Sequence, residues 1–110
     1  MRISTTAGIM IALSCGSAFA DSLPPDPARQ GELVRLVRQD CGSCHGMRLL
    51  GGLGPALTPE ALKDKSADAL ISTILHGRPG TPMPPWKDFL SESEASWIVD
   101  NLKKGFPNAR

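Results

Sequence analysis

The sequence lacks an excess of charge of either sign. Its 110 residues carry 12 Lys and Arg against 11 Asp and Glu, which gives a formal net charge of +1. Proteins that bind nucleic acid or an anionic membrane surface usually carry a basic excess or a basic patch. The near-neutral balance argues against both classes of partner, and the short length predicts a single domain.

Long apolar runs are also missing. The most apolar stretch, residues 7–13, is far shorter than the roughly 20 residues of a bilayer-spanning helix. It follows Arg2 and precedes a small-x-small site at residues 18–20, and this order is typical of a secretory signal. We therefore expect residues 1–20 to be a signal peptide that is cleaved.

Cleavage at that site would leave residues 21–110 as the mature domain. We expect this domain in the periplasm, without a transmembrane segment. Cys15 raises a lipoprotein as an alternative, but residues 12–14 ahead of it, Ala-Leu-Ser, make a poor lipid-attachment box.

Cysteine is scarce in the mature domain, where only Cys41 and Cys44 remain. A disulfide between residues three apart would close too small a loop to stabilise a fold. A domain of about 90 residues also buries a modest share of its surface and usually needs a disulfide, a metal or a cofactor. We therefore expect a bound cofactor to help hold the domain together.

No run of residues has the alternation of a strand. Helix starts are marked instead by capping residues, as at Asp26-Pro27 and at the capping box of Ser91 and Glu94. The apolar spacing predicts helices at about residues 26–40, 58–63, 66–76 and 91–104, with irregular loops at 46–54 and 78–86. The prediction is an all-α domain of three to four helices, whose long loops wrap around a cofactor.

The segment Cys41-Gly42-Ser43-Cys44-His45 has the spacing that attaches a c-type haem. Its two thiols add to the two vinyl groups along one porphyrin edge, and the adjacent histidine then reaches the iron from the same side. A zinc site needs four ligands, for which only the two histidines could join the pair of cysteines. A redox dithiol expects a βαβ context, which is absent. We predict one haem c, attached by two thioether bonds, with His45 as an iron ligand.

Met83 is the candidate for the second axial ligand. It lies between Pro82 and Pro84, which stiffen the loop and reduce the entropy lost on presenting the sulfur. Met47 follows His45 too closely to reach the other face of the haem. The alternative for Met83 is a gap-filling role in the core, and His76 is expected to cap a helix rather than to bind iron.

The Gly54-Pro55 pair is the candidate support of His45. A metal-ligating histidine normally donates its other ring N–H to a carbonyl or carboxylate, and the Pro55 carbonyl is the candidate acceptor. An ordinary turn is the alternative for this pair. Trp86 and Trp97 are expected to form apolar walls.

Together these features resemble a mono-haem class I c-type cytochrome over residues 26–104: a first helix, C-x-x-C-H, Gly-Pro, a methionine in a proline-rich loop, and a last helix. In that family the first and last helices cross near the haem edge at a glycine, for which Gly31 facing Trp97 is the candidate. The loop Gly-Thr-Pro-Met-Pro-Pro-Trp and the small size most resemble NirC-type cytochromes, which are encoded with haem cd1 nitrite reductase in denitrifying bacteria.

The resemblance implies a periplasmic one-electron carrier rather than an enzyme, with haem cd1 nitrite reductase as its redox partner. A role in d1-haem handling or in maturation of that reductase is the alternative. A small haem peroxidase would need an open coordination position on the iron. Met83 in its proline-rich loop argues against this class of enzyme, because its sulfur would occupy that position. We expect the protein to be a monomer.

Overall fold

The computed structural model describes residues 23–107, so the predicted signal peptide and Cys15 lie outside the described residues. The helices are α1 (Pro27–Leu36), a π turn (Val37–Cys41), α2 (Gly42–His45), α3 (Pro59–Leu62), α4 (Ala67–His76) and α5 (Glu92–Lys104). No strand occurs within residues 23–107, which confirms the all-α prediction. None of the helices in this range is long and apolar enough to cross a membrane.

The helices begin where the capping residues predict. Asp26, Thr58, Ser66 and Ser91 each accept a hydrogen bond from the backbone N–H three residues later. At α5 the capping box is complete, because Glu94 Oε2 also accepts from the backbone N–H of Ser91 at 2.9 Å. These bonds satisfy N–H groups that have no partner inside a helix.

The first helix differs from the prediction. Its helical backbone does not end near Asp40 but continues through the π turn to His45, so the haem-attachment motif lies on a helix. The N–H of Gly42 donates to the carbonyl of Val37, five residues back, which is the bond that defines a π turn. Leu33, Val37 and Cys41 are each four residues apart, a spacing that also fits a continuous α-helix, so the sequence did not predict the π turn.

The π turn changes which side chain faces the core. Leu33 and Val37 are fully buried, and Asp40 would share their face in an unbroken α-helix of 3.6 residues per turn. The wider turn delays the return to that face by one residue. As a result Cys41 packs against the core and Asp40 is exposed.

The core is shared between helices and loops. Its buried side chains are those of Leu33, Val37, Leu49, Leu62, Leu90, Ile98 and Leu102. Leu49 comes from the glycine-rich loop and Leu90 from the segment before α5, so burial of apolar surface anchors that loop and that segment to the core. Lys103 of α5 adds a polar contact, because its Nζ donates to the Leu62 carbonyl of α3 at 3.1 Å.

The expectation that Gly31 permits a close crossing of the first and last helices is wrong. A Cβ built on Gly31 would have only Nη1 of Arg35, on the same helix, nearby at 3.8 Å. An ion pair links the two helices instead: Nε of Arg29 lies 2.5 Å from Oε1 of Glu94. Arg29 Nη2 also donates to the Phe89 carbonyl at 3.3 Å, just before α5.

Candidate haem site

Cys41 and Cys44 stand one helical turn apart, and neither forms a disulfide. Both thiols are half-buried. Burial raises the pKa of the Cys41 thiol to about 11, and the neighbouring Asp40 carboxylate adds to that shift. The surroundings of Cys41 therefore favour the neutral thiol over the thiolate.

The ring of His45 has a fixed orientation. Its Nδ1 lies 2.7 Å from the carbonyl oxygen of Pro55, which is the contact that the Gly54-Pro55 prediction names. Because a carbonyl can only accept, this bond assigns the proton of the neutral ring to Nδ1. Nε2 then keeps its lone pair, as coordination of a metal requires.

Gly54 makes the space that this ring occupies. A Cβ on Gly54 would lie 2.7 Å from both Cε1 and Nδ1 of His45. The N–H of Gly54 also donates to the carbonyl of Cys44 at 2.8 Å, so the Gly54-Pro55 segment is bonded directly to the haem-attachment motif. The sequence pointed to Gly54 only as the partner of Pro55 in a Gly-Pro pair, and it gave no sign that Gly54 itself contacts the His45 ring.

The glycine-rich loop turns back sharply after His45. The N–H of Gly51 donates to the His45 carbonyl at 2.8 Å, and a Cβ on Gly46 would lie 2.6 Å from the Gly51 carbonyl oxygen. Gly46 has φ of 91°, a conformation that glycine adopts without strain. The turn brings residues 54 and 55 alongside the histidine.

The Met83 loop is tied to the end of α4. Met83 is half-buried, its carbonyl accepts from the N–H of Arg78 at 3.2 Å, and its own N–H donates to Oγ1 of Thr81 at 3.3 Å. Further along, the N–H of Trp86 donates to the Ile74 carbonyl in the last turn of α4 at 3.0 Å. The Thr81 contact was not predicted, because a threonine in a loop carries no specific signal.

The remaining candidates lie either against the core or at the surface. Trp86 and Trp97 are half-buried and pack against the core. Met47 is 71% exposed, and His76 is exposed at the last position of α4. Within residues 23–107 no three His, Cys, Asp or Glu side chains group together as a metal site of that kind requires.

A cavity of about 380 Å³ lies elsewhere, between the glycine-rich loop, the start of α3 and the end of α5. Its walls include Arg38, Leu57 and Phe106, and none of the cysteine, histidine or methionine candidates. The guanidinium of Arg38 donates to the Phe106 carbonyl at 2.9 Å and lies 5.6 Å from the centre of that ring. This cavity is therefore separate from the haem-attachment motif.

The donor set fits a covalently attached haem. Two thiols on one helical turn and a histidine with its lone pair on Nε2 are what two thioether bonds and one axial bond need. The space beside the histidine exists only because residue 54 is glycine. Both observations concern the protein alone, and each agrees with the prediction from the motif.

Comparisons with known proteins agree on one family. The family model described as cytochrome c oxidase, cbb3-type, subunit III matches residues 27–102. Cytochrome c55X of Pseudomonas aeruginosa is 56% identical over 99 residues, a match that covers 84% of this chain and 83% of the relative.

Solved structures give the same result. The c-type cytochrome NirC matches with a TM-score of 0.73 and 60% identity, over 74% of this chain and 95% of that one. Dihydro-heme d1 dehydrogenase NirN in complex with DHE matches with a TM-score of 0.59 and 41% identity, over 66% of this chain and 15% of that one. The class I cytochrome fold and the NirC-like resemblance are confirmed. The chain thus belongs to the c-type cytochromes of the cbb3-type subunit III family, which carry covalently attached haem c and transfer electrons.

Proposed function

We propose that the protein is an exported one-electron carrier that donates electrons to a haem cd1 nitrite reductase in the periplasm. The signal peptide would be residues 1–20 and the cytochrome domain residues 21–110. The similarity to cytochrome c55X and to the c-type cytochrome NirC supports this proposal, because NirC-type cytochromes are encoded with haem cd1 nitrite reductase in denitrifying bacteria. The chain itself would not be an enzyme.

The bond between His45 and Pro55 is the observation that carries the proposal. Cys41 and Cys44 would hold the haem by thioether bonds, with His45 Nε2 and the Met83 sulfur as axial ligands. When bound, the haem supplies an iron that alternates between the ferric and ferrous states, of which a thioether ligand favours the ferrous.

Because the Pro55 carbonyl only accepts, Nδ1 of His45 keeps its proton in both states. No proton has to move at this residue when an electron is gained or lost. The ring also lies close against Gly54, which leaves it little room to move. Small rearrangement and no proton movement are what a fast one-electron carrier requires.

Exposed apolar side chains next to the motif would form the docking surface. Leu50 is 65% exposed and Leu53 is 91% exposed, both in the loop that begins after His45. Exposed apolar side chains grouped in one segment are typical of an interaction site, and contacts of redox carriers are usually small and transient. Leu53 is the most exposed of the large apolar side chains in the described part of the chain.

Transfer to the reductase tests the proposal directly. Reduced protein is mixed with oxidised haem cd1 nitrite reductase in a stopped-flow instrument, beside the variants Leu53→Ser and Leu23→Ser. Leu23 is 66% exposed but lies ahead of α1, so it is the matched control. We expect rapid transfer by the parent and by Leu23→Ser, and transfer that is several-fold slower by Leu53→Ser. No transfer by the parent would refute the proposed partner.

A role in d1-haem handling or reductase maturation is the second candidate. It is favoured by the 41% identity to part of a protein named dihydro-heme d1 dehydrogenase. Deletion of the gene separates the two functions. A carrier defect leaves the reductase loaded with d1 haem but unreduced, whereas a maturation defect leaves reductase protein that lacks its d1 haem.

A further inference from the structure

We infer that Gly77 is a positioning residue for Met83, with the Thr81 hydroxyl as a second support of the same loop. The lack of a side chain at Gly77 sets where the loop lies against α4, and so how firmly Met83 is held as an axial ligand. This inference rests on the proposed function, because it takes Met83 to be that ligand.

The backbone of the Met83 loop lies directly on Gly77, which is buried. A Cβ at this position would lie 2.7 Å from the Met83 carbonyl oxygen, 2.8 Å from the Pro84 carbonyl carbon and 2.9 Å from the Pro85 nitrogen. All three neighbours are backbone atoms, and two belong to prolines, so none can rotate away as a side-chain tip would. Any added atom must move the loop itself.

The backbone angles at position 77 also require glycine. Its φ is 68° and its ψ is −171°, a combination that is found almost only in glycine. This conformation ends α4 and reverses the chain toward Met83. Gly77 is therefore needed both for the turn and for the contact that the turn produces.

Hydrogen bonds fasten the C-terminal side of the loop to α4, and its N-terminal side continues directly from that helix. The N–H groups of Trp86 and Lys87 donate to the carbonyls of Ile74 and Leu75, at 3.0 and 3.2 Å. Carbonyls in the last turn of a helix have no partner within it, so these bonds fix residues 86 and 87 to the helix end. The loop cannot shift as a whole to relieve pressure from Gly77.

Within the loop, the Thr81 hydroxyl bridges two backbone groups, the Arg78 carbonyl and the Met83 N–H. Its Oγ1 donates to the Arg78 carbonyl at 2.7 Å and accepts from the N–H of Met83 at 3.3 Å. The Met83 carbonyl in turn accepts from the N–H of Arg78 at 3.2 Å. The N–H of Met83 is thus held by the Thr81 hydroxyl. Its carbonyl, which lies next to Gly77, is held by the N–H of Arg78.

A methyl group at position 77 would push the Met83 carbonyl outward by several tenths of an ångström. Metal–ligand bonds tolerate deviations of only about 0.2 Å, so a displaced backbone weakens the hold on the sulfur. Thermal stability alone would not report this effect. The sulfur-to-iron charge-transfer band and the rate of ligand exchange would.

The test compares Gly77→Ala with Gly80→Ala in the haem-loaded protein. Gly80 lies in the same loop and also has a positive φ, of 80°, but a Cβ on Gly80 has nothing within 4 Å. We expect Gly77→Ala to weaken the charge-transfer band and to speed cyanide binding about tenfold or more relative to Gly80→Ala. Equal bands and equal cyanide rates in the two variants would overturn the inference.

If Gly77→Ala does not accumulate as haem-loaded protein, Thr81→Val decides, with Thr73→Val as its control. Thr73 also donates to a backbone carbonyl, that of Ala69 at 2.9 Å, but within α4. Faster cyanide binding in Thr81→Val alone supports the inference, and equal rates overturn it. Failure of the proposed ligation is recognised separately, because Met83→Ala would then keep the band of the parent protein.

Discussion

The guanidinium of Arg29 in α1 holds the carboxylate of Glu94 in α5, with Nε 2.5 Å from Oε1. The second oxygen of that carboxylate accepts from the backbone N–H of Ser91, so one side chain both caps α5 and joins it to α1. The bond to Arg29, followed by the bond to the Ser91 backbone, lowers the pKa of Glu94 against the opposing effect of burial. The two helices that frame the core are therefore joined by a charge-dependent contact.

Stability should fall in acid because of this contact. A carboxylate with a lowered pKa stabilises the fold above its unfolded pKa of about 4.3, and this contribution is lost as the pH falls through the lower folded value. Glutamine keeps the capping geometry without the charge, so Glu94→Gln should lower the free energy of unfolding by about 1 kcal/mol near pH 7. Urea unfolding at several pH values measures it.

Glu92→Gln is the control for this variant, because Glu92 is exposed in the first turn of the same helix. We expect the deficit of Glu94→Gln to shrink below about pH 4. A deficit that stays constant with pH, or one that Glu92→Gln reproduces, would contradict the account of this pair.

Gly54→Ala should disturb the haem site, since its Cβ would meet the ring of His45 at 2.7 Å. Overpacking of this kind costs about 1–3 kcal/mol, so we expect less haem-loaded protein and a lower melting temperature. Gly31→Ala is the control, because a Cβ there has its nearest contact at 3.8 Å and helix propensity favours alanine by about 1 kcal/mol. Haem content per protein and thermal unfolding are measured for both. Equal loading and melting of the two variants would show that Gly54 is not needed for the ring.

The mature protein should begin at Asp21 and carry one covalent haem. Mass spectrometry of the denatured periplasmic protein tests both predictions, since only thioether-bonded haem survives denaturation. Cys15→Ser should leave this mass unchanged, whereas the double variant Cys41→Ser, Cys44→Ser should lose the haem. A lipid mass on Cys15 would show instead that the chain is a lipoprotein.

Local signals predicted most of the fold. Asp26, Thr58, Ser66 and Ser91 mark helix starts through bonds that reach only three residues along the chain, so the sequence is enough to read them. Leu49 and Leu90 show the limit, because a single leucine in a loop gives no sign that it is buried in the core. The prediction for Gly31 was wrong for the same reason, because a glycine in a helix does not show whether another helix packs against it.

In the candidate site, too, local features could be predicted and contacts between distant segments could not. The haem-attachment motif is a contiguous pattern, and Gly54-Pro55 lies close enough in sequence to His45 to be proposed as its partner. Gly77 could be read only as a helix end, because its contact with the Met83 carbonyl arises when the proline-rich loop folds back. The π turn at Val37–Cys41 was missed because the residue spacing there also fits a continuous α-helix.

The assignment of Met83 as an axial ligand is the central claim, and optical spectroscopy tests it most directly. Haem-loaded parent protein is compared with Met83→Ala and with Met47→Ala, in which the exposed methionine next to the motif is removed. We predict a sulfur-to-iron charge-transfer band in the ferric parent and in Met47→Ala, and its loss in Met83→Ala. A parent without the band, or a Met83→Ala variant that keeps it, would contradict the account.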